Sequence, residues 1–248
     1  MNTIYILWLR QVKKYFRSPA RIIGSLGQPL LFLLALGYGF GAIYAKAGGG
    51  NYLQFLAPGV ICMSILFTSV FSGIDVIWDR QFGFLKETLV APVSRFKIML
   101  GRTLGGATTA TMQGCIVLIL AIIFGFRPEY WFNIPIALVV MFIIAVLFTA
   151  LGTAIASLLK DIQGFQLIVN FLIMPIFFLS GSLFPLTNVP AAISFIASID
   201  PLSYGIDALR SLIIGTSLHS LGLDVGVLLV LVFILLGIGS YLFSLIQI

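Results

Sequence analysis

Six stretches of this chain are each long and apolar enough to cross a lipid bilayer: 22–44, 55–77, 103–124, 135–159, 165–184 and 225–246. About 20 mostly apolar residues of helix span a ~30 Å hydrocarbon layer while keeping every backbone N–H and C=O satisfied within the segment. Strands of a membrane barrel are about half that length and alternate in polarity, so the runs read as helices. Only 9% of the 248 residues are charged and 60% are hydrophobic, against about 25% charged in a soluble domain. The expected fold is an all-α membrane protein with six transmembrane helices, no internal repeat and no separate soluble domain. The opening Met1-Asn2-Thr3 lacks the regions of a signal peptide. Cys62 and Cys115 lie inside apolar runs and are read as small core residues rather than a disulfide.

The basic residues set an expected orientation. Eleven of the 14 lysines and arginines fall in the N-terminal arm (Arg10, Lys13, Lys14, Arg17, Arg21), between runs two and three (Arg80, Lys86, Arg95, Lys97, Arg102) or after run four (Lys160). Lys46, Arg127 and Arg210 fall on the other side. The positive-inside rule then places both termini in the cytoplasm, in a multi-pass protein of the plasma or inner membrane. The net charge of +6 is explained by topology and by attraction to anionic lipid headgroups, so no nucleic-acid partner is expected.

Within residues 1–21, Ile4, Leu7, Trp8, Val12 and Tyr15 recur at helical spacing opposite the five cations. That pattern suits an amphipathic helix in the headgroup plane, ended by Ser18-Pro19. Between the last two runs, 185–220 is too apolar for a surface loop. It reads as a re-entrant helical hairpin turning at Asp200-Pro201, and such backbone survives at membrane depth only against protein or a wet cavity. Asp207 and Arg210 share a helical face there and are expected to pair, with Tyr204 part of the same structural cluster.

Polar groups inside the runs are few: Gln28, Asp75 and Asn170. Asp75 sits within snorkelling reach of the interface. No Asp/Glu/His series crosses the bilayer, which argues against an ion-coupled carrier. Gly101/Gly105 and Gly37/Gly41 provide small-residue packing pairs, and Pro29 and Pro175 predict kinks. No phosphate-binding loop occurs, and no cysteine–histidine metal spacing. The single histidine, His219, falls in the last loop. Neither catalytic, cofactor nor metal residues are expected in this chain, and work against a gradient needs energy from another one.

The segment 80–97 is the candidate receiver of that energy. Residues 83–90 predict a short helix offering Phe84, Leu85, Leu89 and Val90 beside Lys86 and Glu87. Ala91-Pro92 stops it, and Ser94 is placed to cap the next helix. Glu87-Thr88-Leu89 followed by Pro92-Val93-Ser94-Arg95 resembles the coupling segment of type-2 ABC exporter permeases. Ser180-Gly181-Ser182-Leu183-Phe184-Pro185 and the run from Pro201 to Arg210 resemble the same family's second hallmark, so the resemblance covers nearly the whole chain, with 22–248 as the transmembrane domain.

The resemblance implies two permease copies, forming a homodimer, and two separate cytoplasmic ATP-binding subunits that carry the ATP and Mg. Phe84, Leu85, Glu87, Thr88, Leu89, Pro92 and Arg95 would form the ATPase-coupling interface, and cargo would leave through the dimer interface. Pro-Leu-x-Tyr-x-x-Asp-x-x-Arg is more similar to the drug- and antibiotic-resistance branch than to the polysaccharide branch. The expected function is the permease subunit of an ATP-driven exporter of an amphipathic small molecule. Its alternatives are a lipid-linked polysaccharide or glycolipid exporter on the same scaffold and, from another class, an ion-coupled secondary transporter.

Overall fold

A computed structural model describes residues 3–46, 50–85, 88, 93–159, 161–186 and 189–245. Among these no strand occurs, and six helices or helix pairs are long and apolar enough to cross a membrane: Pro19–Gly39, Tyr52–Gln81, Arg95–Ile123, Trp131–Leu158, Ile162–Leu179 and Leu221–Ser244. In chain order the helices are α1 (Thr3–Phe16), α2 (Pro19–Leu31), α3 (Gly41–Lys46), α4 (Tyr52–Phe71), α5 (Ile74–Gln81), α6 (Arg95–Ile123), α7 (Ile134–Leu158), α8 (Ile162–Leu179), α9 (Ala191–Ile199), α10 (Pro201–Ile213) and α11 (Leu221–Ser244).

Local chemistry accounts for several boundaries. The side chains of Asn51, Asp161 and Asp200 accept from the backbone N–H groups of Leu53, Gly164 and Leu202, satisfying donors that a helix start leaves orphaned. Ser94 does occupy the N-cap position of α6, but its side chain makes no capping bond. Inside the first span Pro29 removes one backbone donor, and the chain passes through a π-helical turn at Phe32–Leu36; such bulges accompany disrupted i→i−4 ladders.

The centre of the bundle is built from α4, α6 and α7, whose Leu56, Ile61, Ala110, Met141 and Phe148 are fully buried. Into this core α10 inserts Leu202, Ile206, Leu209 and Ile213. The first and fifth spans lie on the flank and present large apolar side chains outward, Ile23 at 69% and Phe171 at 85% exposed. Phe32 and Phe177 stack edge to face and join those two spans.

The depth of α10 follows from its partners. Its last turn is tied to the start of α7: Ile213 O accepts from Glu129 N at 2.9 Å, and Asn133 Nδ2 donates to Leu212 O at 3.1 Å. A Cβ at Gly205 would come within 2.8 Å of Ile144 Cδ1, so this glycine lies against the middle of α7. Thirteen residues of helix cover about 20 Å. The α9–α10 hairpin therefore turns at Asp200 well inside the bundle, with α10 packed in the core and α9 exposing Phe195 and Ile199.

The N-terminal helix departs from an in-plane helix resting on lipid alone. Gly101 and Gly105 on α6 let α1 approach closely: a Cβ at Gly101 would meet Ile4 O at 3.0 Å, and one at Gly105 would meet Gln11 Cβ at 2.7 Å. Trp8 Nε1 donates to Thr108 Oγ1 at 3.0 Å, and Tyr15 Oη to Gln113 Oε1 at 2.7 Å. The pairing advances in step along both helices, so α1 runs alongside the first half of α6 with the same polarity. Its apolar stripe is largely spent on protein because the glycines of α6 form a groove that fits it. The small pair at Gly37/Gly41 is different; Gly37 meets Leu53, but Gly41 faces open space.

Candidate functional site

Where α1, α5 and the start of α6 meet, a basic end of the bundle is knitted together by charge. Arg10 and Lys14 lie one turn apart on α1, and Asp79 and Asp75 lie one turn apart on α5. The matched spacing lets both pairs close at once. Arg10 Nη1 and Nη2 donate to Asp79 Oδ2 and Oδ1 at 2.9 and 2.7 Å, a bidentate fork. Lys14 Nζ donates to Asp75 Oδ1 at 2.6 Å. From α6, Arg102 Nη2 donates to Asp79 Oδ2 at 2.5 Å.

The centre of the cluster is dry, while Arg10 and Lys14 reach toward its edge. Arg102 is 3% exposed and Asp79 is 7% exposed, so the attraction between them is poorly screened and the loss of either would strand a buried charge. The hydrogen bonds that Arg10 donates to Asp79 hold its guanidinium above its ordinary range. Its planar head also stacks 4.5 Å above the Phe84 ring. One guanidinium thus joins α1 to α5 and to Phe84 beyond it, while Arg102 ties the same carboxylate to α6.

The residues expected to receive a partner divide. Phe84 is half exposed and available. Leu85, expected as a docking knob, instead turns into the core at 2% exposed. Thr88 Oγ1 donates to Phe84 O at 2.9 Å. Arg95 reaches the carbonyl of Ser244 at the end of α11. Lys86, Glu87, Leu89, Val90, Ala91 and Pro92 lie outside the described residues. Beside the charge cluster, between α1, α2, α4 and α6, lies a cavity of about 230 Å³. Met63 and Phe67 line it with apolar surface, and Lys14, Arg21, Gln28 and Asp75 give it a polar side.

The opposite, hairpin end corrects another expectation. Among the described residues Asp207 and Arg210 do not pair with each other. Arg210 Nη2 donates to Phe55 O at 3.2 Å and Gly181 O at 2.9 Å, with its guanidinium 3.9 Å above the Phe55 ring. Asp207 accepts from Leu218 N at 2.9 Å and His219 N at 2.8 Å. The shared face is real, but each side chain finds a closer partner on a different element. Tyr204 Oη donates to Ser198 O at 2.6 Å and so ties α10 to α9.

Sequence reasoning passed over Arg10, Asp79 and Arg102 as individuals. The i,i+4 spacing of Asp75/Asp79 and Arg10/Lys14 was the available signal, but nothing in it says which helix faces which. That reasoning gave His219 no role beyond its place in the last loop and did not name Asp224; both converge with Asp207.

Comparison with known proteins agrees in kind. The profile of the ABC-2 type transporter family matches residues 2–214. Nodulation protein J of Rhizobium leguminosarum bv. viciae is 30% identical over 225 residues, covering 90% of this chain and 86% of that protein. The putative transport permease ycf38 of Pyropia yezoensis is 31% identical over 229 residues, with 86% and 74% covered. Its counterpart in Cyanophora paradoxa is 29% identical over 219 residues, again covering 86% and 74%.

Proposed function

Since the chain belongs to the ABC-2 type transporter family, we propose that it is the permease subunit of an exporter energised by a separate cytoplasmic ATP-binding protein. The observation that carries this reading is the contact of Arg10 with both Phe84 and Asp79. A push delivered to the segment around Phe84 passes through one rigid cation into α1 and α5, and through Arg102 into α6. Short charged contacts between helices transmit displacement better than a flexible loop, because buried ion pairs resist separation. Two ATP-binding copies would dock at Phe84, Thr88 and the neighbouring Glu87, Leu89 and Pro92. ATP and Mg would be held by them, not by this chain.

In this reading both termini and the basic end face the cytoplasm of a cell membrane, in accord with the distribution of lysine and arginine, and the α9–α10 hairpin re-enters from the other side. A second copy of the chain covers the outward apolar faces of spans one and five, which the bundle itself leaves bare at Ile23, Leu167 and Phe171. The cavity beside the charge cluster, apolar on one wall and polar on the other, favours an amphipathic cargo that enters at headgroup depth.

The test uses proteoliposomes containing the chain alone or with its ATP-binding partner. With the partner and ATP, cargo should accumulate against its gradient; the chain alone should neither hydrolyse ATP nor accumulate cargo. Uphill transport by the chain alone, following a proton gradient, would overturn the proposal in favour of an ion-coupled carrier.

A further inference from the structure

At the hairpin end three ionisable groups from different elements converge. Asp207 comes from the middle of α10, His219 from the loop that follows, and Asp224 from the first turn of α11. His219 Nδ1 lies 3.5 Å from Asp207 Oδ2 and 3.8 Å from Asp224 Oδ1. One donor atom from each residue lies within 4.8 Å of the others. Asp224 is fully buried, and among the described residues neither of its carboxylate oxygens has a hydrogen-bond partner. A carboxylate withdrawn from water in this way needs a positive partner. Arg210, one turn further along α10, does not supply it; its guanidinium is occupied by the carbonyls of Phe55 and Gly181.

We infer that Asp207, His219 and Asp224 form a binding site for a divalent transition cation of the zinc class. Nitrogen and oxygen ligands at ~2.0–2.2 Å from a tetrahedral zinc ion stand about 3.3–3.6 Å apart, close to the separations His219 already makes with the two carboxylates. Two carboxylates and a neutral imidazole carry two negative charges, which one divalent cation balances. The imidazole donor and the small number of oxygens select against calcium and magnesium, which take six or more hard oxygen ligands.

The frame around the site is already set. Asp207 holds the turn at residues 218 and 219 through backbone N–H groups, and the Tyr204 ring lies 5.6 Å from the imidazole. Those contacts orient His219 in the way that supporting partners orient metal ligands. The His219 side chain is 46% exposed, so a cation has an approach and a water molecule can complete the coordination. With one ligand on α10 and one on α11, the bound ion would clamp the hairpin to the last span.

The test uses the full chain in detergent micelles, purified through a histidine-free tag so that His219, the single histidine, is the only imidazole present. After chelator treatment and its removal, Zn²⁺ is titrated by calorimetry, and Co²⁺ is used as an absorbing probe. The expected result is one zinc per chain, a rise in melting temperature on binding, and a visible cobalt band displaced by zinc. His219→Ala and Asp224→Asn should each weaken binding by more than about tenfold. Asp161→Asn, a change at a remote helix cap, should leave binding unchanged. Because His219 is half exposed, His219→Ala should melt without metal at the parent temperature and lose only the metal-induced rise. Equal zinc affinity in the parent and His219→Ala would overturn the inference. So would the absence of saturable uptake below about 100 μM, the result expected if a protonated His219 simply bridges the two carboxylates.

Discussion

Asp75 and Asp79 at the basic end each meet a cation at 2.5–2.7 Å. Among the described residues the cationic side chain nearest Asp207 and Asp224 at the hairpin end is the imidazole of His219, at 3.5 and 3.8 Å. Both pairs are buried, so composition does not distinguish them. What differs is where the arginines go. At the basic end Arg10 and Arg102 converge on one carboxylate and lock three helices together. At the hairpin end Arg210 is drawn to two carbonyls and an aromatic ring, leaving its neighbouring carboxylates to other partners. The first arrangement gives each carboxylate a cation and suits the transmission of a push. In the second the buried Asp224 carboxylate has no hydrogen-bond partner among the described residues, and the stiffness of that arrangement depends on what occupies it.

The largest expected consequence of this contrast is at Asp79. Asp79→Asn strands the buried Arg102, and breaking a dry ion pair on one side costs about 3–5 kcal/mol. Thermal unfolding in detergent should show it as a large drop in melting temperature or loss of folded protein. At the other end Arg210→Met removes a donor from two carbonyls, at about 1–3 kcal/mol. A melting shift as large as that of Asp79→Asn would erase the distinction between the ends. Arg10→Lys keeps the charge and loses the fork and the stack over Phe84. Because the Arg10 side chain is 35% exposed, its effect on stability should be no more than about 1 kcal/mol. Lys13→Ala, on the exposed side of the same helix, should change stability by less than about 0.5 kcal/mol. If Lys13→Ala matched Arg10→Lys in both stability and transport, general basicity rather than geometry would be responsible.

These contrasts mark the limit of what local pattern reveals. Long apolar runs announce the spanning helices because backbone satisfaction in lipid leaves no other option. The first two turns of α6 carry Arg95, Lys97 and Arg102 and fall outside an apolar window, so Ser94 rather than hydropathy marked its start. The two short helices α9 and α10 were legible from their half-length runs and the break at Asp200-Pro201. Pairing was not. Arg10 and Asp79 are 69 residues apart, and Trp8 and Thr108 are 100 apart; their meeting depends on the groove at Gly101 and Gly105, which spacing alone assigns to no partner. Asp207 and Arg210, three residues apart, seemed a natural pair on helical geometry. Tertiary neighbours with better-placed oxygens and N–H groups won each of them. Leu85 shows the same limit, because an apolar residue in a short amphipathic segment can face a partner or its own core.

The most direct test of the coupling account is the amount of cargo moved per ATP hydrolysed, in proteoliposomes of the complete complex carrying Arg10→Gln. This variant keeps the helix and removes the cation that joins Phe84 to Asp79. The account predicts that ATP hydrolysis persists while transport per ATP falls by roughly 5- to 150-fold, the range of a coupling free energy of about 1–3 kcal/mol. An unchanged ratio of transport to hydrolysis would contradict it.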